Sequence, residues 1–252
     1  MEIIHLILGK GNPERMNGVN KVVNELATRR ALADKKVEVW GITATPVHDY
    51  PERAYVTRLF KTQRNPFHTG SALKEAILGE KGNAIFHLHG GFIPAMYSAT
   101  MWMKKNKIQF VFTPHGSYNT IAMQKSRFSK KLYFDFFERT MLKAAKKIHV
   151  LGKSEVDGLQ SIYANDKTAL IPYGFDLPIN FQSPGNTNEF IIGYCGRLDI
   201  YTKGLKELLE GFNFFHSERP GSKLWIIGDG PEKEKLIQIA NGLNLFNKKF
   251  SI

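Results

Sequence analysis

The sequence predicts an α/β protein built on a parallel sheet with helices on both faces. Two observations carry the prediction: short, nearly all-apolar runs recur along the chain, and longer segments with helical apolar spacing separate them. A third concerns organisation. The alternation stops once, at a Pro- and Gly-rich stretch, and then restarts. The 252 residues therefore divide into a whole Rossmann-like domain (1–175), a linker (176–188) and the front part of a second such domain (189–252).

The first strand is Ile3–Leu8, an apolar run interrupted by His5. A helix follows over Val19–Leu32, where Val19, Val22, Val23 and Leu26 share one face and Asn17 is placed to cap it. Strand Val37–Ile42 comes next, and Tyr55–Phe60 is a further candidate strand. Helix Ser71–Leu78, strand Ala84–Leu88, helix Ile93–Lys105 and strand Gln109–Thr113 continue the alternation. The basic, aromatic segment Ser129–Ala145 reads as one helix with Leu132, Phe136, Met141 and Ala145 inward and Lys130, Lys131, Arg139 and Lys143 outward. Its sharper reading is a helix for a membrane surface or a nucleic acid. Strand Lys147–Leu151, helix Ser154–Tyr163 and strand Thr168–Ile171 complete the first domain. After the linker come strand Phe190–Cys195, helix Lys203–Ser217, strand Lys223–Ile227 and helix Glu232–Asn241. The final LNLFNKKFSI reads as a third strand cut short.

Composition narrows the class. Lys plus Arg number 35 against 23 Asp plus Glu, a net charge of +12, which suits an anionic partner such as a phosphate-bearing ligand, an acidic membrane or a nucleic acid. Cys195 is the only cysteine, so no intrachain disulfide forms and a reducing compartment is expected. No signal-peptide core and no apolar run of membrane-spanning length is present, so a cytoplasmic protein is expected.

Four segments bear chemistry. The loop GKGNPERMNG holds Gly9, Gly11 and Gly18 before the first helix, where free N–H groups face a phosphate. It is not G-x-G-x-x-G, and no ribose-binding acid ends the second strand, which argues against a nicotinamide enzyme; an ordinary tight turn is the plain alternative. HLHGG (87–91) and TPHGSYNT (113–120) lie at carboxyl ends of strands, the ligand edge of a parallel sheet. His87 reads as a core histidine, and His89 as either core or functional. His115 stands between Pro114 and Gly116 in a turn, where an exposed functional side chain fits. No carboxylate or cysteine joins them at ligand spacing, so no metal site is expected. In GYCGRLDIYTKGL, Arg197 follows a strand and Lys203 and Gly204 open a helix, a pattern that fits a diphosphate site or a solvated turn. Arg53, Arg58, Lys61 and Arg64 form a basic stretch where an acceptor or anionic lipid could dock.

Read together, the motifs H-x-H-G, T-P-H-G, A-x-x-I-H-V-L-x-x-S-E, I-P-Y-G-F-D, G-R-L-D-x-x-x-K-G-L and L-W-I-I-G-D-G-P follow the glycine loop in an order that resembles the retaining glycosyltransferases of family 4, which have the GT-B fold. The resemblance runs from Ile3 to about Leu243, with Tyr173 where the family has Asn. It implies transfer of a sugar from a nucleotide diphosphate sugar to an acceptor hydroxyl with retention, without a metal or other cofactor. By that resemblance Arg197, Lys203 and Gly204 hold the donor diphosphate together with Gly18 and Asn17, Asn17 standing where many members have glycine. His115 matches the family's histidine near the transferred sugar, and His89 becomes a candidate contact of acceptor or sugar. The implied partners are a nucleotide sugar and a glycan or lipid-linked acceptor in polysaccharide or cell-envelope synthesis, with peripheral contact to an anionic membrane and no nucleic acid. A family motif with two glutamates is absent, so a truncated second domain and little turnover are expected. The rival readings are a catalytically silent sugar-nucleotide-binding fragment and a GT-B sugar-nucleotide epimerase.

Overall fold

The computed structural model describes residues 1–13, 18–124, 126–174 and 190–245, and the backbone of 250–251. The chain forms two compact units, Met1–Gly174 and Phe175–Ile252. The segments expected to act as linker (176–188) and as helix cap (Asn17) lie outside the described residues.

In the first unit the chain runs through β1 (Glu2–Leu8), α1 (Gly18–Leu32), β2 (Val37–Thr43), β3 (Val56–Lys61), α2 (Ser71–Gly79), β4 (Ala84–His89) and α3 (Pro94–Lys105). It continues through β5 (Phe110–Thr113), α4 (Thr120–Gln124), α5 (Arg127–Tyr133), a π-helical turn (Phe134–Glu138), α6 (Arg139–Ala144), β6 (Lys147–Val150), α7 (Lys153–Ile162) and β7 (Thr168–Leu170). The strands make one sheet in the order β3-β2-β1-β4-β5-β6-β7, every pair parallel. Growth of the sheet reverses between β1 and β4, and this switch point is where open parallel sheets bind ligands.

The period of two along each strand sorts the side chains. Ile4, Leu6, Phe86, Leu88, Phe110, Phe112, Ile148 and Val150 face a large core with α2, α3 and α6. On the other face Ile7, Val37 and Val39 pack with Val23 and Ala27 of α1. His5, His87, His89 and His149 share the parity of that second face. His5 lies opposite His87 across β1 and β4, and His89 lies opposite Thr113 across β4 and β5.

The segment read as one helix over 129–145 departs from that reading. Its middle turn is π-helical, and Phe134, Glu138, Met141, Leu142 and Ala145 face inward. Leu132 and Phe136 are exposed instead. The polar interior decides the phase: Tyr118 donates from its buried hydroxyl to the Glu138 carboxylate, a partnership that a stripe drawn from apolar residues alone does not reveal.

The second unit comprises β8 (Ile191–Cys195), α8 (Ile200–Lys203), α9 (Leu205–Glu218), β9 (Lys223–Ile227), α10 (Lys233–Gly242) and β10 (Phe250–Ser251). Its parallel sheet has the order β10-β9-β8, the last strand being the third one expected from the terminal residues. Leu198, Leu205, Leu209, Phe212, Leu224, Ile226 and Leu236 form its core. The helix expected to begin at Lys203 is split. Asp199 caps the short α8 by accepting from the Thr202 amide, and Gly204 turns the chain with φ 62° before α9 starts. A left-handed turn of that kind is cheap for glycine.

Candidate active site

At the switch point the histidines form a connected set. His5 Nδ1 lies 2.9 Å from His89 Nε2. His89 Nδ1 lies 2.8 Å from His115 Nε2, and His115 Nδ1 lies 3.2 Å from the Tyr173 hydroxyl. A second line runs beside it: His87 Nε2 to Thr113 Oγ1 at 2.6 Å, Thr113 Oγ1 to His149 Nδ1 at 3.0 Å, and His149 Nε2 to the Ile171 carbonyl at 2.7 Å. His5 and His89 are buried, whereas His115 is half-buried at the carboxyl edge of the sheet.

Burial disfavours the imidazolium form. It holds His5 and His115 down to about 4, and His87 and His89 well below the ordinary histidine range. At neutral pH His115 is thus a neutral hydrogen-bonding group rather than a cation. Both of its ring nitrogens are already engaged.

The backbone holds His115 as firmly as the ring contacts do. Its φ is 54°, an uncommon conformation for a residue with a side chain, and Gly116 follows at 79°. Gly90 of the neighbouring loop donates to the Thr113 carbonyl at 2.8 Å. Below the loop, Glu155 of α7 is buried, and burial raises its carboxyl; it accepts from the Leu151 amide at 3.3 Å, and the Gly116 and Tyr118 amides also draw it part of the way back toward the charged form. Glu155, which closes the motif A-x-x-I-H-V-L-x-x-S-E, is in this way a brace for the histidine turn.

His5, His87 and His89 each offer a ring nitrogen, all within 4.8 Å of one another. The expectation of no metal rested on the lack of carboxylate or cysteine, and this cluster was not anticipated. An ion bound there by His5 and His89 would take the place of the proton they share. The observed arrangement is a hydrogen-bonded chain.

The glycine loop after β1 is shaped from below. Asn20 of α1 is buried and accepts from the Gly11 amide at 2.8 Å. A Cβ on Gly41 would sit 2.2 Å from the Gly9 carbonyl, so β2 carries glycine near its end to let that loop cross it. Lys10 turns inward to Asp49 at 2.7 Å rather than toward a ligand. Gly18 is exposed at the start of α1. Of the basic stretch, Arg53 is withdrawn: it donates to the Lys10 carbonyl and stacks on Tyr50. Arg58 lies 4.6 Å from the Trp40 ring, and Lys61 and Arg64 stay exposed. Lys61 borders a cavity of about 280 Å³ at the carboxyl ends of β1 to β3, shared with Leu8, Ile42, Phe60, His68 and Ile93.

In the second unit two loops are knitted backbone to backbone. The Gly196 amide donates to Ile227, and the Leu198 amide to Asp229, at 2.9 and 3.0 Å. The Ile200 amide donates to the Glu232 carboxylate at 2.7 Å. A Cβ on Gly228 would meet the Gly196 carbonyl at 1.9 Å, and one on Gly230 the Leu198 carbonyl at 2.4 Å. Arg197 sits in this fixed frame with its side chain exposed, as is that of Lys203. Gly204 bounds the N-terminus of the 14-residue α9.

Two parallel α/β units, a glycine loop and exposed cations beyond a strand end define a protein of the GT-B type. The chain belongs to glycosyltransferase family 4, whose model matches residues 16–178. HepE of Anabaena, solved in complex with UDP, shares the fold at 16% identity and TM-score 0.69, over 99% of this chain and 68% of that one. A glycosyltransferase of Rickettsia africae matches at 19% identity and TM-score 0.64, over 99% and 67%. A putative UDP-N-acetylglucosamine 2-epimerase of Listeria monocytogenes matches at 11% identity and TM-score 0.53, over 99% and 68%. No curated protein matches the chain.

Proposed function

We propose that the protein transfers a hexosyl group from a nucleotide diphosphate sugar to an acceptor hydroxyl with retention of configuration, in the synthesis of a polysaccharide or cell-envelope glycan. The observation that carries this reading is the pair Arg197 and Lys203, exposed beside a backbone-locked loop of a family 4 chain. When the bond from the anomeric carbon to the diphosphate breaks, charge develops on the leaving phosphate. A guanidinium fork and an ammonium stabilise that charge without a metal ion. The acceptor hydroxyl attacks from the same face, and its proton passes to the departing phosphate oxygen. His115 faces the donor sugar as a neutral hydrogen-bonding group. Gly18 and Asn17 complete the diphosphate contacts, and the cavity beside Lys61 receives the acceptor. HepE holds UDP, which makes UDP the first nucleotide to test.

Arg197→Ala is expected to weaken nucleotide diphosphate binding by about 1.5–3 kcal/mol, roughly tenfold to a hundredfold in Kd by calorimetry. Unchanged affinity would overturn the assignment, and binding without turnover in a panel of sugar nucleotides would favour the silent binding protein.

The cytoplasmic face of an anionic membrane is the proposed place of action. No helix among the described residues is long and apolar enough to cross a membrane. Phe128 and Phe136 are 78% and 69% exposed, Leu132 lies between them at 43%, and Arg127 and Lys131 are exposed alongside. Apolar side chains among cations suit the interface of an anionic bilayer. The protein should sediment with vesicles containing phosphatidylglycerol. Replacing Phe128 and Phe136 by Ser should lower that partitioning by at least about tenfold; equal partitioning would remove this surface from the proposal.

A further inference from the structure

The imidazole chain has a property that none of its members has singly. A neutral imidazole carries one N–H, so a ring that donates from one nitrogen accepts at the other. Along Tyr173, His115, His89 and His5, each junction between rings joins Nε2 to Nδ1. Only two proton arrangements satisfy every bond. Either all three rings carry the proton on Nε2 and Tyr173 donates, or all three carry it on Nδ1 and Tyr173 accepts. Any mixture sets two lone pairs or two protons against each other. Between His5, 4% exposed, and His89, 1% exposed, no water relieves that conflict.

We propose that His89 and His5 are positioning residues for sugar transfer, fixing through this chain which nitrogen of His115 bears the proton, and that the Tyr173 hydroxyl holds the place taken by a hydroxyl of the bound donor sugar. The proposal rests on the glycosyltransferase reading above. The Tyr173 bond is the longest of the three at 3.2 Å, against 2.8 and 2.9 Å, and it sits at the half-buried end of the chain. A sugar hydroxyl both donates and accepts, as the phenol does. The exchange therefore leaves the proton order of the rings intact, whichever order is present. The φ of 54° at His115 keeps the ring aimed along this line.

Long-range proton–nitrogen NMR of the full chain at neutral pH reads each tautomer directly. His5, His89 and His115 should report the same one; two different tautomers among them would overturn the coupling. His89→Asn places an amide where Nδ1 stood, keeping a partner for His115 and releasing His5. His89→Gln places it where Nε2 stood, keeping His5 and releasing His115. The His115 signals should turn into a tautomer mixture in the Gln variant and stay single in the Asn variant; a His115 spectrum untouched by His89→Gln would count against the proposal. Should the Gln variant not fold, the spectrum of the unaltered chain still decides. Tyr173→Phe removes only the cap and should tighten UDP-sugar binding about threefold, with UDP binding unchanged. Weaker or unaltered UDP-sugar affinity would refute the placeholder role. Absence of any nucleotide binding would count against the glycosyltransferase reading, while the tautomers of the free protein still judge the coupling.

Discussion

Lowering the pH from 7.5 to 5 is expected to cost the N-terminal unit a large share of its stability. Burial holds His5 and His115 near 4, with Arg30 adding to the effect at His5 and His149 at His115. His87 and His89 lie well below the ordinary range, for the same reason and because the neighbouring rings would repel a second charge. In the unfolded chain all four titrate near 6.5. Between the two values the unfolded state binds more protons than the folded one, so folding stability falls as the pH falls. The contribution is fully present above about pH 6.5 and diminishes down to the folded values. At pH 5 each histidine shifted to about 4 costs about 2 kcal/mol, so His5 and His115 together cost about 4 kcal/mol, and His87 and His89 add to the loss in the same direction. That is a large share of the stability of an ordinary domain. Thermal unfolding followed by circular dichroism at stepped pH measures it. A loss below about 2 kcal/mol over the range would mean that the folded protein accepts protons on these rings.

Glu138→Gln should act with the opposite sign. The Glu138 side chain is fully buried, and burial raises its carboxyl to about 7 although the Tyr118 hydroxyl and the Phe92 amide draw it back. Here the folded state holds the proton more tightly than the unfolded one. Stability from this group is therefore present at low pH and lost as the pH rises through about 4.5 to 7. Above pH 8 the loss amounts to about 3 kcal/mol. An amide of the same shape never ionises, still accepts from Tyr118, and should raise Tm at pH 8.5 by roughly 6–12 °C. Near pH 4.5 the two proteins should melt together. An equal shift at both pH values would trace the gain to packing instead.

The strand and helix order was legible because it rests on apolar spacing, which buried parallel strands state strongly. Ile3–Leu8 and Ala84–Leu88 needed no tertiary information. The inward phase of the 127–144 segment was not legible, because Glu138 is buried for the sake of Tyr118, and apolar patterning treats a glutamate as solvated. The candidate site divides in the same way. His115, Arg197 and Lys203 follow strand ends and could be picked out one by one. His5, His149, Thr113 and Tyr173 could not, since their meaning lies in sheet register. The interruption of an apolar strand by His5, and its parity with H-x-H on a neighbouring strand, were the available signals. The register that sets His5 opposite His87 appears only once β1 and β4 pair across the switch point.

The locked pair of loops in the second unit bears on anyone wishing to retrain this enzyme toward another donor. Positions 228 and 230 have no room for a side chain, because each faces backbone, and a side chain at 196 would displace the Tyr194 hydroxyl. Random libraries spread over both loops will spend most members on misfolded protein, and the damage from one loop will reach the other. Diversity restricted to Arg197, Tyr201 and Lys203, whose side chains are exposed, would sample new chemistry on an unchanged frame. Selection for nucleotide preference then becomes separable from selection for expression.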